Sequence, residues 1–180
     1  HPLKDERHLG LKHEAQYCLD VVKELNAHGA MNDLFVPVHA EAQYWIKQKV
    51  PYQSYCVIHA GASDFSKCWP STYFAELINR IKKRMNCGFV FCGNQAAHQL
   101  TKDIISRLDF EVIDLTGKTI VAQTAALLKN CLCMISNDSG PVHIAAALGV
   151  PVVSVFTRNQ AGINPERWHP LGDRVATVFP

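Results

Sequence analysis

The feature that most restricts the fold is a regular alternation between residues 54 and 157. Short apolar runs with strand character, "YCVIHA", "GFVFCG", "EVIDL", "LCMIS" and "VVSVF", are separated by stretches of helical periodicity. The helix "PSTYFAELINRIKKRMN" carries Phe74, Leu77, Ile78, Ile81 and Met85 on one face, and "QAAHQLTKDIISRL" carries Ala97, Leu100, Ile104 and Leu108. "TIVAQTAALLKN" and "PVHIAAALG" complete the set. Continuous apolar strands separated by helices are what a parallel sheet covered on both faces requires, because each parallel connection needs a crossover. The expected fold is therefore α/β: a Rossmann-like, doubly wound parallel sheet whose ligand would sit beyond the strand carboxyl ends.

Outside that block the pattern is weaker. Residues 13 to 25 repeat Ala15, Cys18, Leu19, Val22 and Leu25 at helical spacing, with Gly29 as a stop, and "EAQYWIKQK" forms a second short helix. The expected division is a helical linker or interdomain segment at 1–53 and a Rossmann-like domain at 54–180. The tail, "RNQAGINPERWHPLGDRVATVFP", reads as loop with one edge strand. The opening at His1, without a methionine, suggests a piece of a longer protein.

Charge and cysteine usage exclude several classes. A net charge of +2 and the absence of a long basic run give no footprint for nucleic acid. The seven cysteines contain no C-x-x-C pair, which argues against a zinc ribbon or a thioredoxin-type motif. Cys56, Cys92 and Cys133 lie in apolar runs, as small hydrophobes would in a reducing cytosol. No run approaches the ~20 apolar residues of a membrane span, and no signal peptide is read, so a soluble cytoplasmic protein is expected.

Chemistry concentrates at the turns after the strands. In "SNDSGPVHIAAALG", Ser139 or Gly140 is placed as N-cap, Pro141 at the first helical position and Gly149 just past the end. Unpaired N–H groups and the helix dipole make such a start an anion site, with Ser139 and His143 in reach. Asp138 would repel a phosphate and suits a polyol or the fixing of the turn, whereas a purely capping role for Asp138 and Ser139 accounts for the spacing equally well. After the first strand, Gly61, Ala62 and Ser63 permit close approach of backbone to a ligand, and Lys67 offers a fixed positive charge for a diphosphate. Gly93 in "CGNQ" and Thr116, Gly117, Lys118 and Thr119 in "LTGKT" are weaker candidates on the same edge. G-x-G-x-x-G, G-x-x-x-x-G-K-[ST] and G-x-S-x-G are all absent, and no D-x-D or H-x-H pair suggests a metal.

In order and spacing, "VIHAGASDFSKCWPSTYFAELINRI", "FVFCGNQAAHQLTKDI", "VIDLTGKTIVAQTAALLKNCLCMISNDSGPVHIAAALGVPVVSVF" and "WHPLG" resemble the carboxyl-terminal half of glycosyltransferase family 9, the ADP-heptose:lipopolysaccharide heptosyltransferases. The N-D-S-G-P-V-H segment is the most specific part and S-K-x-W-P the next. The resemblance implies the donor-binding half of a two-domain GT-B enzyme, inverting, metal-independent and free of cofactors. Lys67 would contact the donor diphosphate; Asp138, Ser139, Gly140 and His143 would hold phosphates and sugar; Gly61, Ala62 and Ser63 would line the cleft. The family's general base, an aspartate, belongs to an amino-terminal acceptor domain, so no catalytic residue is expected in this chain, and contact with a lipopolysaccharide acceptor or a membrane surface would run through that other domain. On the residues alone, a UDP-sugar enzyme or hydrolysing epimerase of the same architecture, a non-catalytic nucleotide-binding module and an NAD-dependent dehydrogenase remain open.

Overall fold

The structure, a computed structural model, describes residues 6–31 and 34–179. Of the expected linker, residues 1–5, 32 and 33 lie outside the described residues, as does Pro180 at the end of the expected domain. Six parallel strands form one sheet in the order β3-β2-β1-β4-β5-β6. They are β1 (Tyr55–His59), β2 (Gly88–Phe91), β3 (Ile113–Asp114), β4 (Cys133–Asn137), β5 (Val152–Val155) and β6 (Val175–Val178). The helices are α1 (Glu14–Lys23), α2 (Ala40–Lys49), α3 (Ser71–Arg84), α4 (His98–Ile105), α5 (Val121–Lys129), α6 (Gly140–Ala147) and α7 (Pro165–Trp168).

The period of two along β1 explains the two-sided core. Val57 joins Val90, Met134 and Val152 beneath α2, α5 and α6, whereas Cys56 and Ile58 turn to the opposite face and meet Phe89, Phe91 and Ile135 beneath α3 and α4. Phe74 and Ile78, read from the sequence as the inner face of α3, are fully buried there, while Met85 at the end of that stripe is exposed. Each fully buried Phe or Ile side chain contributes about 1.5–3 kcal/mol of transfer free energy. Cys56 and Cys92 sit inside these layers, and burial pushes both thiols up to about 12, the range of an inert core residue.

β3 differs from its sequence expectation, and α2 and the tail add to theirs. β3 contains two paired residues rather than the length of "EVIDL", because the Asp114 side chain accepts the Thr116 amide (2.8 Å) and turns the chain out of the sheet. α2 packs on the sheet: Ala42 and Ile46 enter the same core as Leu127 and Leu128 of α5. The tail supplies the expected edge strand, β6, preceded by α7, where the Asn164 side chain caps the Arg167 amide at 3.2 Å. α7 also anchors the front of the chain: Arg167 Nε meets the Glu14 carboxylate at 2.7 Å, and His13 Nε2 lies 2.8 Å from the His169 carbonyl. His13 is half-buried, and its other ring nitrogen caps α1 by accepting the Ala15 amide.

Candidate functional site

Connections run β1 to β2 to β3 on one side and then return to β4 on the other side of β1, so the order of the sheet reverses between β1 and β4. The loops leaving two such neighbouring strands diverge to opposite faces and leave a crevice between them. A cavity of about 780 Å³ occupies this position. His59 from the end of β1, Ala62, Ser63 and Lys67 from the next loop, and Asp138, Ser139, Gly140, Pro141 and His143 from the β4–α6 turn line one part; Gly93, Asn94, Thr119 and Thr124 line the other. Trp168 of α7 also borders it.

The two charges expected at the site meet directly. Lys67 Nζ lies 2.7 Å from Asp138 Oδ2, with the lysine side chain 19% and the carboxylate 9% exposed. Asp138 therefore fixes the ammonium at the cavity wall, and the ammonium in turn offsets the charge by which Asp138 would repel an anion. An ammonium has three donors, so one engaged by Asp138 leaves two for a ligand.

The start of α6 is built differently from a self-capped helix. Ser139 occupies the N-cap position, but its hydroxyl bonds to no helix amide. It lies instead 2.9 Å from the Ser136 hydroxyl and 3.1 Å from His59 Nδ1. A purely capping role for this serine is thereby ruled out. Pro141 has no N–H and the Val142 amide donates back to the Ser139 carbonyl at 3.2 Å, so fewer donors face the cavity than a bare helix start provides. The Gly140 amide remains, and nothing lies within 4 Å of where a Gly140 Cβ would stand. At the far end Gly149 adopts φ +71°, and the amides of Gly149 and Val150 return to the carbonyls of Ala146 (2.9 Å) and Ala145 (3.0 Å), the stop read from the sequence. Ala145 and Ala146 are buried, which brings the short helix down onto β4 and β5.

Histidine chemistry at the site is neutral. Burial pushes His59 down to about 4, and burial likewise lowers His143, with Asp138 pulling the other way. Both imidazoles are therefore uncharged donors or acceptors at neutral pH.

Four expected site residues do not line the cavity. Gly61 is buried, and its lack of a side chain serves packing: a Cβ would fall 2.7 Å from the Ala97 Cβ. Gly117, at φ +72°, forms a turn packed on Gln95 and donates its amide to the Gly93 carbonyl at 2.8 Å. Thr116 is buried against the Thr101 hydroxyl at 3.3 Å. Lys118 folds back to the Asp114 carbonyl at 2.7 Å. Thr119, the last residue of the same turn, does line the cavity; conversely, His59, Asn94, Thr124 and Trp168 were not singled out from the sequence. For His59 a signal existed, since it is the last residue of a strand at the reversal of the sheet; for Thr124 none did. Among the described residues no group of His, Cys, Asp and Glu side chains is arranged to hold a metal ion, and no helix is long and apolar enough to cross a membrane.

A doubly wound sheet with a polar, lysine-bearing crevice at its reversal point defines a Rossmann-like domain. More narrowly, residues 15–179 match the model of glycosyltransferase family 9 (heptosyltransferase), and the chain belongs to that family. It is 34% identical over 104 residues to lipopolysaccharide heptosyltransferase 3 of Escherichia coli K12, a match covering 57% of this chain and 30% of that protein. It superimposes on the glycosyltransferase family 9 structure from Veillonella parvula with a TM-score of 0.82 at 21% identity, over 94% of this chain and 49% of that one. The ADP-heptose lipopolysaccharide heptosyltransferase II structure from E. coli gives 0.70 at 24% identity, over 79% and 44%. The match thus spans about a third of the curated relative's length and about half of the solved chains.

Proposed function

We propose that this chain is the donor-binding part of a glycosyltransferase that moves heptose from ADP-heptose to the inner core of lipopolysaccharide. The observation that carries this reading is the Lys67–Asp138 pair set beside the start of α6 in the cavity at the reversal of the sheet. A diphosphate fits between the lysine and the Gly140 amide, where positive charge from both would stabilise the departing nucleoside diphosphate. Asp138 and His143 accept or donate to sugar hydroxyls beside it, and Gly93, Asn94, Thr119 and Thr124 flank the nucleoside. The acceptor surface and the aspartate that deprotonates the attacking hydroxyl belong to the part of such a protein outside this chain, where inverting displacement would be completed at the cytoplasmic face of the membrane. Residues 1–53 then act as the segment between the two parts, with α2 fastened to the donor side. In the complete enzyme, removing the Lys67 ammonium costs about 2 to 4 kcal/mol of transition-state stabilisation.

Calorimetric titration with ADP, UDP and NAD, on this chain and on Lys67→Ala, tests the reading. ADP binding that weakens about tenfold in the variant supports it, on the scale of one hydrogen bond to a charged group. Preference for UDP would replace the donor and keep the architecture, and binding of none of the three would remove the nucleotide reading of the cavity.

A further inference from the structure

Asn137, the last residue of β4, is completely buried and takes no place in the cavity wall. Its carboxamide bridges two backbone points on a different segment: Nδ2 donates to the Ala60 carbonyl, and Oδ1 accepts the Trp69 amide at 2.9 Å. Ala60 and Trp69 are the two stems of the loop that carries Lys67. Lys67 stands two residues from one gripped stem, and Asp138 follows Asn137 directly in the chain. We infer that Asn137 is a positioning residue: by closing both stems of the 61–68 loop onto the β4 end, it sets the Lys67 ammonium against Asp138 and into the cavity. This deepens the proposed donor site and rests on that reading only for its consequence in nucleotide binding.

The chemistry leaves little choice of residue. One stem offers an acceptor and the other a donor, so the bridging group must present a donor and an acceptor a short distance apart on a short stem, which a carboxamide does. A carboxylate keeps the acceptor and sets negative charge against the Ala60 carbonyl. A leucine of similar size makes neither bond and leaves a buried amide and a buried carbonyl unpaired. The loop tip has separate ties, the Thr157 hydroxyl donating to the Ser66 carbonyl (2.8 Å) and Arg158 paired with Asp64, but these act on the solvent side and do not fix the stems.

Two readouts test the inference with Asn137→Asp and the more disruptive Asn137→Leu, each checked for folding by circular dichroism. The first needs no nucleotide: the rate at which an amine-acylating reagent modifies Lys67, followed by peptide mass spectrometry, with Lys118 as internal reference. Release of the loop raises the Lys67 rate several-fold relative to Lys118. The second is a double-mutant cycle in ADP affinity. Asn137→Asp weakens ADP about tenfold in the parent chain but less than about twofold in the Lys67→Ala background, because its effect passes through the lysine.

A residue that only stabilises the fold would lower the melting temperature while leaving the Lys67 modification rate unchanged, or would weaken ADP by the same factor in both backgrounds; either result overturns the inference. Should the parent chain not bind ADP at all, the proposed function fails, and the modification rate alone decides the role of Asn137. If Asn137→Leu does not fold, the Asp variant carries both measurements.

Discussion

Acidification acts on His59 in a direction and by an amount that follow from its burial. The ordinary imidazole titrates near 6.5, and in the folded chain desolvation pushes His59 down to about 4. As pH falls below about 6.5, the unfolded chain takes up a proton on this side chain that the folded chain refuses until about 4. The unfolded state is favoured across that interval; above it the residue contributes nothing to pH dependence. Each pH unit is worth about 1.4 kcal/mol, so the loss from His59 alone is about 2 kcal/mol at pH 5 and about 3 kcal/mol at pH 4. His13 and His143, also lowered by burial, add to the slope with the same sign. Urea denaturation between pH 4 and 8, on the parent chain and on His59→Gln, isolates the His59 share. The variant is expected to be weaker at pH 7.5, having lost the contacts to Ser136 and Ser139, and flatter below pH 6.5. Parallel stability curves for the two proteins would show that His59 is not desolvated as described.

Other expectations follow from packing and charge. Lys67→Ala leaves the Asp138 carboxylate buried without its partner and should cost about 2 kcal/mol in thermal or urea unfolding; adding Asp138→Asn should recover most of that loss, and no recovery would mean that the pair is not coupled. Gly61→Ala drives a methyl group toward Ala97 and should destabilise by about 1–3 kcal/mol, with Ala97→Gly restoring part of it; a neutral Gly61→Ala in the same assay would refute the packing role given to this glycine. Tyr55→Phe removes a buried hydroxyl that donates to the Leu127 carbonyl at 2.7 Å, a loss of about 1 kcal/mol readable as a lowered melting temperature.

The sheet was legible because each of its strands is a short apolar run and each helix carries a stripe of matching period, so local pattern and global architecture agree. α2 was legible as a helix but its inner face was not, because its apolar residues, Ala42 and Ile46, are few and Trp45 and Tyr44 blur the stripe; only contact with α5 shows which face is inner. At the site, Asp138, Ser139, Gly140 and His143 were visible through the punctuation of a helix start. Their pairing was not: Lys67 and Asp138 are 71 residues apart, and their contact depends on the strand order and on the grip of Asn137. Lys118 misled in the opposite way. A lysine after a glycine turn on the right edge has the right chemistry, yet a local carbonyl four residues back satisfies it first.

The triangle formed by His59, Ser136 and Ser139 gives the cavity a polarity that a single proton can reverse. Ser136 spends its hydrogen on the Asn137 carbonyl at 2.8 Å, so it can only receive from the other two. With the imidazole proton on Nε2, Nδ1 draws in the hydrogen of Ser139, whose oxygen then shows the cavity lone pairs alone. With the proton on Nδ1, that ring nitrogen supplies Ser136 and Ser139 is released to donate outward. A phosphate selects the second arrangement and a sugar hydroxyl the first. The same wall can therefore receive an anion or an alcohol without any atom heavier than hydrogen having to move.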